Sequence, residues 1–282
     1  MAGRFVSACF ILAADGAIAK GVFMDGPLAI VLAGSRPGRD PLASAAGVPT
    51  KALVPIAGRP MLDHVVRTLV GHPGLSGVLV LAQQPDMLVS DPQCAWMAAE
   101  PKVRFAASGS GISQSLLDLL DSPETRLPLL VTTADNVLLN HAMIDDFLAQ
   151  AAGADIAVAM VERRVLLARY PQSKRTWLKF RDGWWSGANL FWLGSMQARG
   201  VVAFWRGVEQ DRKKGWKILA AFGPFLLLAS ALRLLSIRQG IALAGRRFSV
   251  KARVVPMAQA EACIDADKPV DVTLIEEIIA AR

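Results

Sequence analysis

Five short, almost wholly apolar segments recur along this chain, and stretches with helical spacing separate them. They are LAIVL (28–32), GVLVLA (77–82), VRFAAS (103–108), LPLLVTTAD (127–135) and ADIAVAMV (154–161). A strand that does not alternate apolar with polar residues has to be covered on both faces, which is the condition of a parallel sheet sandwiched by helices. The intervening stretches supply the helices. Pro60 opens one whose core face is Leu62, Val65, Val66 and Leu69. ISQSLLDLLD follows a Ser-rich turn, and Asn140 is placed to cap a helix carrying Met143, Ile144, Phe147 and Leu148. This order predicts an α/β fold with a doubly wound mixed sheet.

The pattern changes in the second half. RTWLKFRDGWWSGANLFWL alternates and contains Asp182-Gly183, a hairpin signal. Residues from Met196 to about Arg247 look wholly helical and form an insert at about 196–247. The chain then returns to a strand, SVKARVVP, and closes with a helix after Pro269. One domain is expected over 26–282. Residues 1–25 are set apart as an N-terminal extension, disordered or upstream of the true start, because Met24 offers a second initiation point. At 53% hydrophobic and 20% charged residues, the chain can bury a core, and global disorder is excluded.

Chemistry concentrates where the first strand meets its loop. The run LAGSRPGR leaves the carboxyl edge of the sheet, where open α/β folds bind ligands. Leu32, Ala33, Gly34 and Ser35 bring the backbone there. Gly34 and Gly38 let it approach a ligand with its N–H groups turned inward, a geometry suited to phosphate oxygens. Arg36 and Arg39 add forked donors for a polyphosphate, and Lys51 adds a compact cation. No Gly-Lys-Ser/Thr follows, so this is not a Walker loop. The net charge of +7 suits an anionic small molecule or an anionic membrane surface. Nucleic acid is not expected as a partner, because no basic run is interleaved with stacking aromatics and only one Tyr is present.

Together, LAG…PTKALVPIAGRPML, LLVTTADN and IDADKPVDVTLIEEI resemble three motifs of the MobA-like NTP transferases, nucleotidyltransferases with a Rossmann-like, GT-A type fold. The resemblance implies transfer of an NMP unit from an NTP to a phosphorylated acceptor, with release of pyrophosphate. It implies Mg²⁺ or Mn²⁺ held by Asp135 and Asp267, with Asp265 as the competitor for the second position. It makes Lys51, Arg36 and Asp135 the catalytic residues, and it places base and ribose recognition at the SGSGISQS turn, through Ser108, Gly109 and Ser113. Ser113 has a second reading, as the cap of the helix that follows. SGANLF is similar to the family's acceptor strand, which points to Gly187 and Asn189. Lys174, Arg175 and Lys179 nearby are suited to the acceptor's phosphate. The loop from Gly34 to Lys51 is longer than in the family because DPLASAAGV is interposed, and the choice between Arg36 and Arg39 stays open.

The acceptor and base are open as well. Ile218 to Leu232 carries no charge and is flanked by Lys213, Lys214, Lys217 and Arg233. Fifteen residues broken by Gly223-Pro224 are short for a membrane span. They suit either a buried helical cover over the acceptor or an interfacial segment reaching a lipid-linked substrate. The acceptor is expected to be lipid-linked or a sugar phosphate; transfer to molybdopterin and a GT-A glycosyltransferase using a nucleotide-sugar are the alternatives. Three scattered cysteines, Cys9, Cys94 and Cys263, form neither a metal spacing nor a disulfide framework. A cytoplasmic location is expected, with peripheral attachment to the inner face of the membrane left open.

Overall fold

The structure is a computed structural model that describes residues 26–34, 38, 40–109, 111–210 and 233–282. The first strand, β1 (Leu28–Leu32), runs into a loop and a six-residue helix, α1 (Pro41–Ala46). That helix occupies the interposed DPLASAAGV stretch. The Asp40 carboxylate accepts from the backbone of Leu42 and Ala43, Pro41 opens the helix, and Gly47 ends it in the left-handed region at φ 68°. A 3₁₀ turn, Lys51–Leu53, follows, then a small ribbon of β2 (Pro55–Ile56) and β3 (Arg59–Pro60).

The alternation then proceeds as the apolar segments predict. The elements are α2 (Met61–Gly71), β4 (Gly77–Ala82), α3 (Pro85–Val89), β5 (Val103–Ala107), α4 (Ile112–Asp121), β6 (Leu129–Thr133), α5 (His141–Ala151) and β7 (Ile156–Glu162). Asn140 caps α5 as expected, its Oδ1 accepting from the Met143 amide at 3.0 Å. After α6 (Arg163–Arg169) the hairpin of β8 (Leu178–Phe180) and β9 (Gly183–Leu193) turns at Arg181-Asp182. The ends of the insert are helical, as α7 (Ala198–Gln210) and α8 (Ile237–Arg247). Its centre, including Ile218 to Leu232, lies outside the described residues. The chain closes with β10 (Ala252–Pro256) and α9 (Pro269–Ala280).

The strands form one eight-stranded sheet in the order β10-β7-β9-β6-β1-β4-β5, with β8 on β9. The pairings β1–β4, β1–β6, β4–β5 and β10–β7 are parallel, and β9 runs antiparallel to both β6 and β7. The carboxyl ends of β1, β4, β5, β6, β7 and β10 therefore share one edge. Helices cover both faces, so the central strands are buried almost throughout: Ala29, Ile30 and Val31 are 0% exposed. One face packs against α2 and α5 through Leu62, Val65, Val66, Ile144 and Phe147, the other against α4 and α7 through Leu117, Leu120, Ala198 and Val202. An Arg199–Asp121 ion pair and a 2.8 Å bond from Arg206 to Gln114 fasten α7 along α4. No helix among the described residues is long and apolar enough to cross a membrane.

Burial pushes the thiols of Cys94 and Cys263 up to about 12. The native protein is thus expected to resist iodoacetamide at both positions near pH 8, where an ordinary thiol reacts. Peptide mapping by mass spectrometry checks this: both cysteines should be modified in denaturant and spared without it, and fast native modification of either would contradict the packing.

Candidate active site

Three strand ends are tied together before any functional side chain is added. The Ala33 amide donates to Leu81 O at 2.9 Å, and the Ala134 amide donates to Leu32 O at 3.0 Å, so β4, β1 and β6 leave the sheet as a joined edge. At this edge Gly34 lies against Gln83, the first residue after β4. A Cβ at position 34 would stand 3.0 Å from Gln83 Nε2, closer than most side chains tolerate. Gly38 has φ 107°, which favours glycine. Ser35, Arg36 and Arg39 lie outside the described residues.

The Ser-rich turn sits at the same edge, past β5. The Ser108 amide donates to Ala82 O at 2.8 Å. The Gly109 amide donates to Ser115 Oγ at 2.9 Å, and that hydroxyl donates onward to Gly111 O. Ser113 does not cap α4: Gly111 holds the cap position, and Ser113 is buried in the first turn. The turn is fastened by Ser115 instead. Ser108 Oγ is buried without a hydrogen-bond partner among the described residues.

The centre of the edge is acidic. Asp135 follows β6 by two residues, and Asp265 and Asp267 lie between the 3₁₀ turn Ala260–Cys263 and α9. One carboxylate oxygen from each of the three lies within 4.8 Å of the others. The backbone holds the segments in register, because the Ala266 amide, between the two later aspartates, donates to Asp135 O at 3.2 Å. Two like charges about 4 Å apart repel by about 4 kcal/mol at an effective dielectric near 20, so the cluster requires a cation. Lys51 supplies one. Its Nζ donates to Asp135 Oδ2 at 2.5 Å and to Asp267 Oδ1 at 2.6 Å. Burial disfavours its charge, but the two carboxylates outweigh that and its pKa is raised. Thr133 Oγ1 donates to Asp135 Oδ1 at 2.5 Å and orients that carboxylate from its own strand. Three convergent hard oxygen donors fit Mg²⁺ or Mn²⁺.

Asp265 differs from the other two. Arg175 Nη1 donates to its Oδ1, Arg175 Nη2 donates to its carbonyl oxygen at 3.1 Å, and Asn189 Nδ2 donates to its Oδ2 at 3.0 Å. Desolvation raises the Asp265 pKa against the opposing effect of Arg175, while Asp267 and Asp135 push it further up. The Arg175 side chain is 9% exposed and lies 3.6 Å from Asp271, whose carboxylate accepts from the Lys268 amide at the start of α9. Arg175 thus joins the segment before β8 to the loop that carries Asp267. Asn189 takes φ 47° beside an irregularity in the β7–β9 pairing, which turns its side chain off the regular strand path.

Of the residues expected on the acceptor side, Asn189 and Arg175 therefore touch the acidic cluster. Gly187 lies opposite Met160 on β9, with open space where a Cβ would stand. Lys174 is exposed, and Lys179 lies on β8 with its Nζ 4.4 Å from the centre of the Trp184 ring. Sequence reasoning missed Gln83 and Thr133, and read Asp271 only as part of the closing motif. Gln83 carried a usable signal, since it directly follows an apolar strand at the ligand-binding edge. Thr133 stands two residues before Asp135 and was open to the same reading, whereas Asp271 meets Arg175 only through the fold.

A glycine-bearing loop, convergent carboxylates and one bridging lysine thus meet at the carboxyl edge of a GT-A type fold. The chain belongs to the MobA-like NTP transferase domain family, a family of nucleotidyltransferases, whose sequence model matches residues 29–240. It is similar to a hypothetical transferase from Thermus thermophilus, with a TM-score of 0.72 and 30% identity, covering 88% of this chain and 99% of that one. It is 34% identical over 134 residues, 47% of this chain, to a bifunctional enzyme IspD/IspF of Sphingopyxis alaskensis. The match spans only 32% of that relative's length. A 4-diphosphocytidyl-2C-methyl-D-erythritol synthase shares the fold, with a TM-score of 0.55 and 14% identity, covering 91% of this chain and 99% of that one.

Replacing Arg175 by Ala leaves Asp265 and Asp271 facing one another without their shared cation. Removing one partner of a buried pair costs about 3 kcal/mol. Chemical denaturation of Arg175→Ala against the wild type measures the loss; a difference below about 0.5 kcal/mol, typical of surface substitutions, would contradict the strut.

Proposed function

We propose that the protein transfers an NMP unit from a nucleoside triphosphate to a phosphorylated acceptor with release of pyrophosphate. The observation that carries this reading is the meeting of Lys51 with Asp135 and Asp267, at 2.5 and 2.6 Å, at the edge of the sheet that also presents the Gly34 loop. An acceptor phosphate oxygen attacks the α-phosphorus and pyrophosphate leaves, so several negative charges have to be gathered and no covalent enzyme intermediate is needed. In this reading Gly34, Gly38 and the neighbouring backbone hold the phosphates, and Arg36 with Arg39 adds charge there. Ser108 and Gly109 line the base and ribose, and Lys51 exchanges its carboxylate contacts for a phosphoryl oxygen.

Asp135 and Asp267 are the residues proposed to hold a divalent ion. When bound, Mg²⁺ or Mn²⁺ neutralises phosphate charge and draws electron density from the reacting phosphorus. Asp265 is assigned a different part. Both of its oxygens are engaged by Arg175 and Asn189, a permanently charged guanidinium and a side-chain amide, so it anchors the loop and leaves coordination to Asp267. Lys51 is suited to release its carboxylates because its single flexible ammonium is a point charge, not a fixed fork. The acceptor class favoured is an anionic amphiphile or a sugar phosphate. Asn189 and Gly187 on β9 face the acceptor in this reading, and Lys174 with Lys179 flanks it.

The test is a panel of the four NTPs with Mg²⁺, offered with a membrane lipid extract and separately with sugar phosphates, following pyrophosphate. Release that needs both an NTP and an acceptor supports the reading. Asp135→Ala and Lys51→Ala are each expected to lower it by about a hundredfold or more, as loss of a preorganised charge at the reacting group does. A chelator should abolish it. Undiminished release from Asp135→Ala, or binding confined to nucleotide-sugars, would overturn the assignment.

A further inference from the structure

The carboxyl edge carries a second concavity, separate from the acidic cluster. A cleft of about 450 Å³ opens where β7 passes into α6 and the β8–β9 turn folds back beside it. That volume lies within the roughly 300–1,000 Å³ typical of small-ligand sites. Glu162, Arg163 and Arg164 form one wall, and Arg181 to Trp184 the other.

Three arginines line the cleft against two carboxylates, Glu162 and Asp182, and Lys179 stands beside it on the Trp184 ring, so a net positive charge remains. Both of its carboxylates are occupied: Glu162 Oε2 accepts from the amide and Nε of Arg164, at 2.8 and 3.2 Å, and Asp182 Oδ1 accepts from the Ile237 amide at 2.9 Å. Among the described residues, Arg163, Lys179 and Arg181 form no ion pair. Arg163 stands 4.9 Å from the centre of the Trp184 ring, Lys179 stands 4.4 Å from the same centre, and Arg181 donates to the neutral Gln239 amide at 3.3 Å. The ring holds two of these cations in place without neutralising them. The turn beneath is close-packed, since a Cβ on Gly183 would stand 2.9 Å from Glu162 Oε1. A net positive charge in a cavity of this size favours an anion, and forked guanidinium donors match the oxygens of a phosphate.

We infer that the cleft binds a phosphate group other than the one that reacts. Two strand spacings separate β6 from β7 across β9, about 10 Å at about 4.8 Å each, so a group seated here cannot also meet the α-phosphorus beside Asp135. It is a phosphate on a remote part of the acceptor, or the headgroup of a lipid beside it. Leu178 and Leu234, 52% and 57% exposed, lie near the cleft, and Leu235 O accepts from the Arg181 amide, so apolar groups are at hand for an amphiphile. Assigning the phosphate to the acceptor rests on the nucleotidyltransferase reading; its binding in the cleft does not.

The experiment follows the indole N–H of Trp184 by ¹⁵N NMR on the full chain, the signal identified by its loss in Trp184→Phe. Inorganic phosphate and vesicles of phosphatidylcholine with or without phosphatidylglycerol are added in separate arms. A saturable shift with phosphate, weakened about tenfold or more in the Arg163→Gln/Arg181→Gln double variant, supports the cleft as a site for a soluble phosphate group. A response only to phosphatidylglycerol vesicles, lost in that variant, supports a lipid headgroup. The Arg163→Lys/Arg181→Lys variant keeps the charge without the forks and should retain part of the affinity; both variants change exposed side chains, and their melting curves verify folding. No response in either arm, or equal responses in wild type and the Gln variant, overturns the inference. Pyrophosphate release that persists in that outcome leaves the nucleotidyltransferase reading standing and removes only the cleft.

Discussion

Three carboxylates held within 4.8 Å of one another at a sheet edge repel, and the architecture sets cations against that repulsion. Lys51 meets it from one side and Arg175 from the other, but with different chemistry. The Lys51 ammonium spans Asp135 and Asp267 at the end of a flexible stem. The Arg175 guanidinium is buried against Asp265 and reaches toward Asp271. One cation is fitted for exchange and the other for permanence. This asymmetry separates a pair of aspartates suited to an ion from a third suited to holding the loop.

The sheet makes the meeting possible. Asp135 and Asp267 lie 132 residues apart in sequence, yet Asp135 follows a central strand and Asp267 lies in the loop that returns from β10 to α9. The bond from the Ala266 amide to Asp135 O joins these segments through backbone alone, so their register does not depend on the charged side chains. The antiparallel strand β9 sits between β6 and β7 and sends Asn189 from the left-handed region into the same cluster. The strand therefore serves both as a sheet member and as a support for the acidic loop. Beyond it, the turn that carries Trp184 forms the wall of the arginine-lined cleft.

Much of this was legible before any coordinates. The five apolar runs became β1, β4, β5, β6 and β7 with boundaries within about two residues, because a strand buried on both faces leaves an uninterrupted hydrophobic signature. Lys51, Asp135, Asp265 and Asp267 were readable as a group from their motifs, and Asn140 from its place before a helical pattern. The α1 helix escaped notice because six residues are too few to show a helical period, although Asp40-Pro41 and Gly47 are ordinary boundary signals. Arg175 was read as an acceptor contact because a basic hairpin invites that reading; its burial against Asp265 depends on how far the segment before β8 folds inward. The Ser113 cap did not form: Gly111 holds the cap position, and the turn is fastened by Ser115, whose hydroxyl reaches both Gly109 and Gly111. Sequence spacing alone does not distinguish two serines two positions apart.

The central claim is that Asp135 and Asp267 hold a divalent ion while Lys51 moves to the phosphates and Asp265 stays with Arg175. A crystal structure with Mn²⁺ and an NTP analogue that cannot release pyrophosphate tests it most directly, since the anomalous signal of manganese locates the ion. The account predicts the ion between Asp135 and Asp267, Lys51 Nζ on a phosphoryl oxygen, and the Arg175–Asp265 pair intact. An ion coordinated by Asp265 in place of Asp267, or a nucleotide bound with Lys51 still bridging the two aspartates, would contradict it.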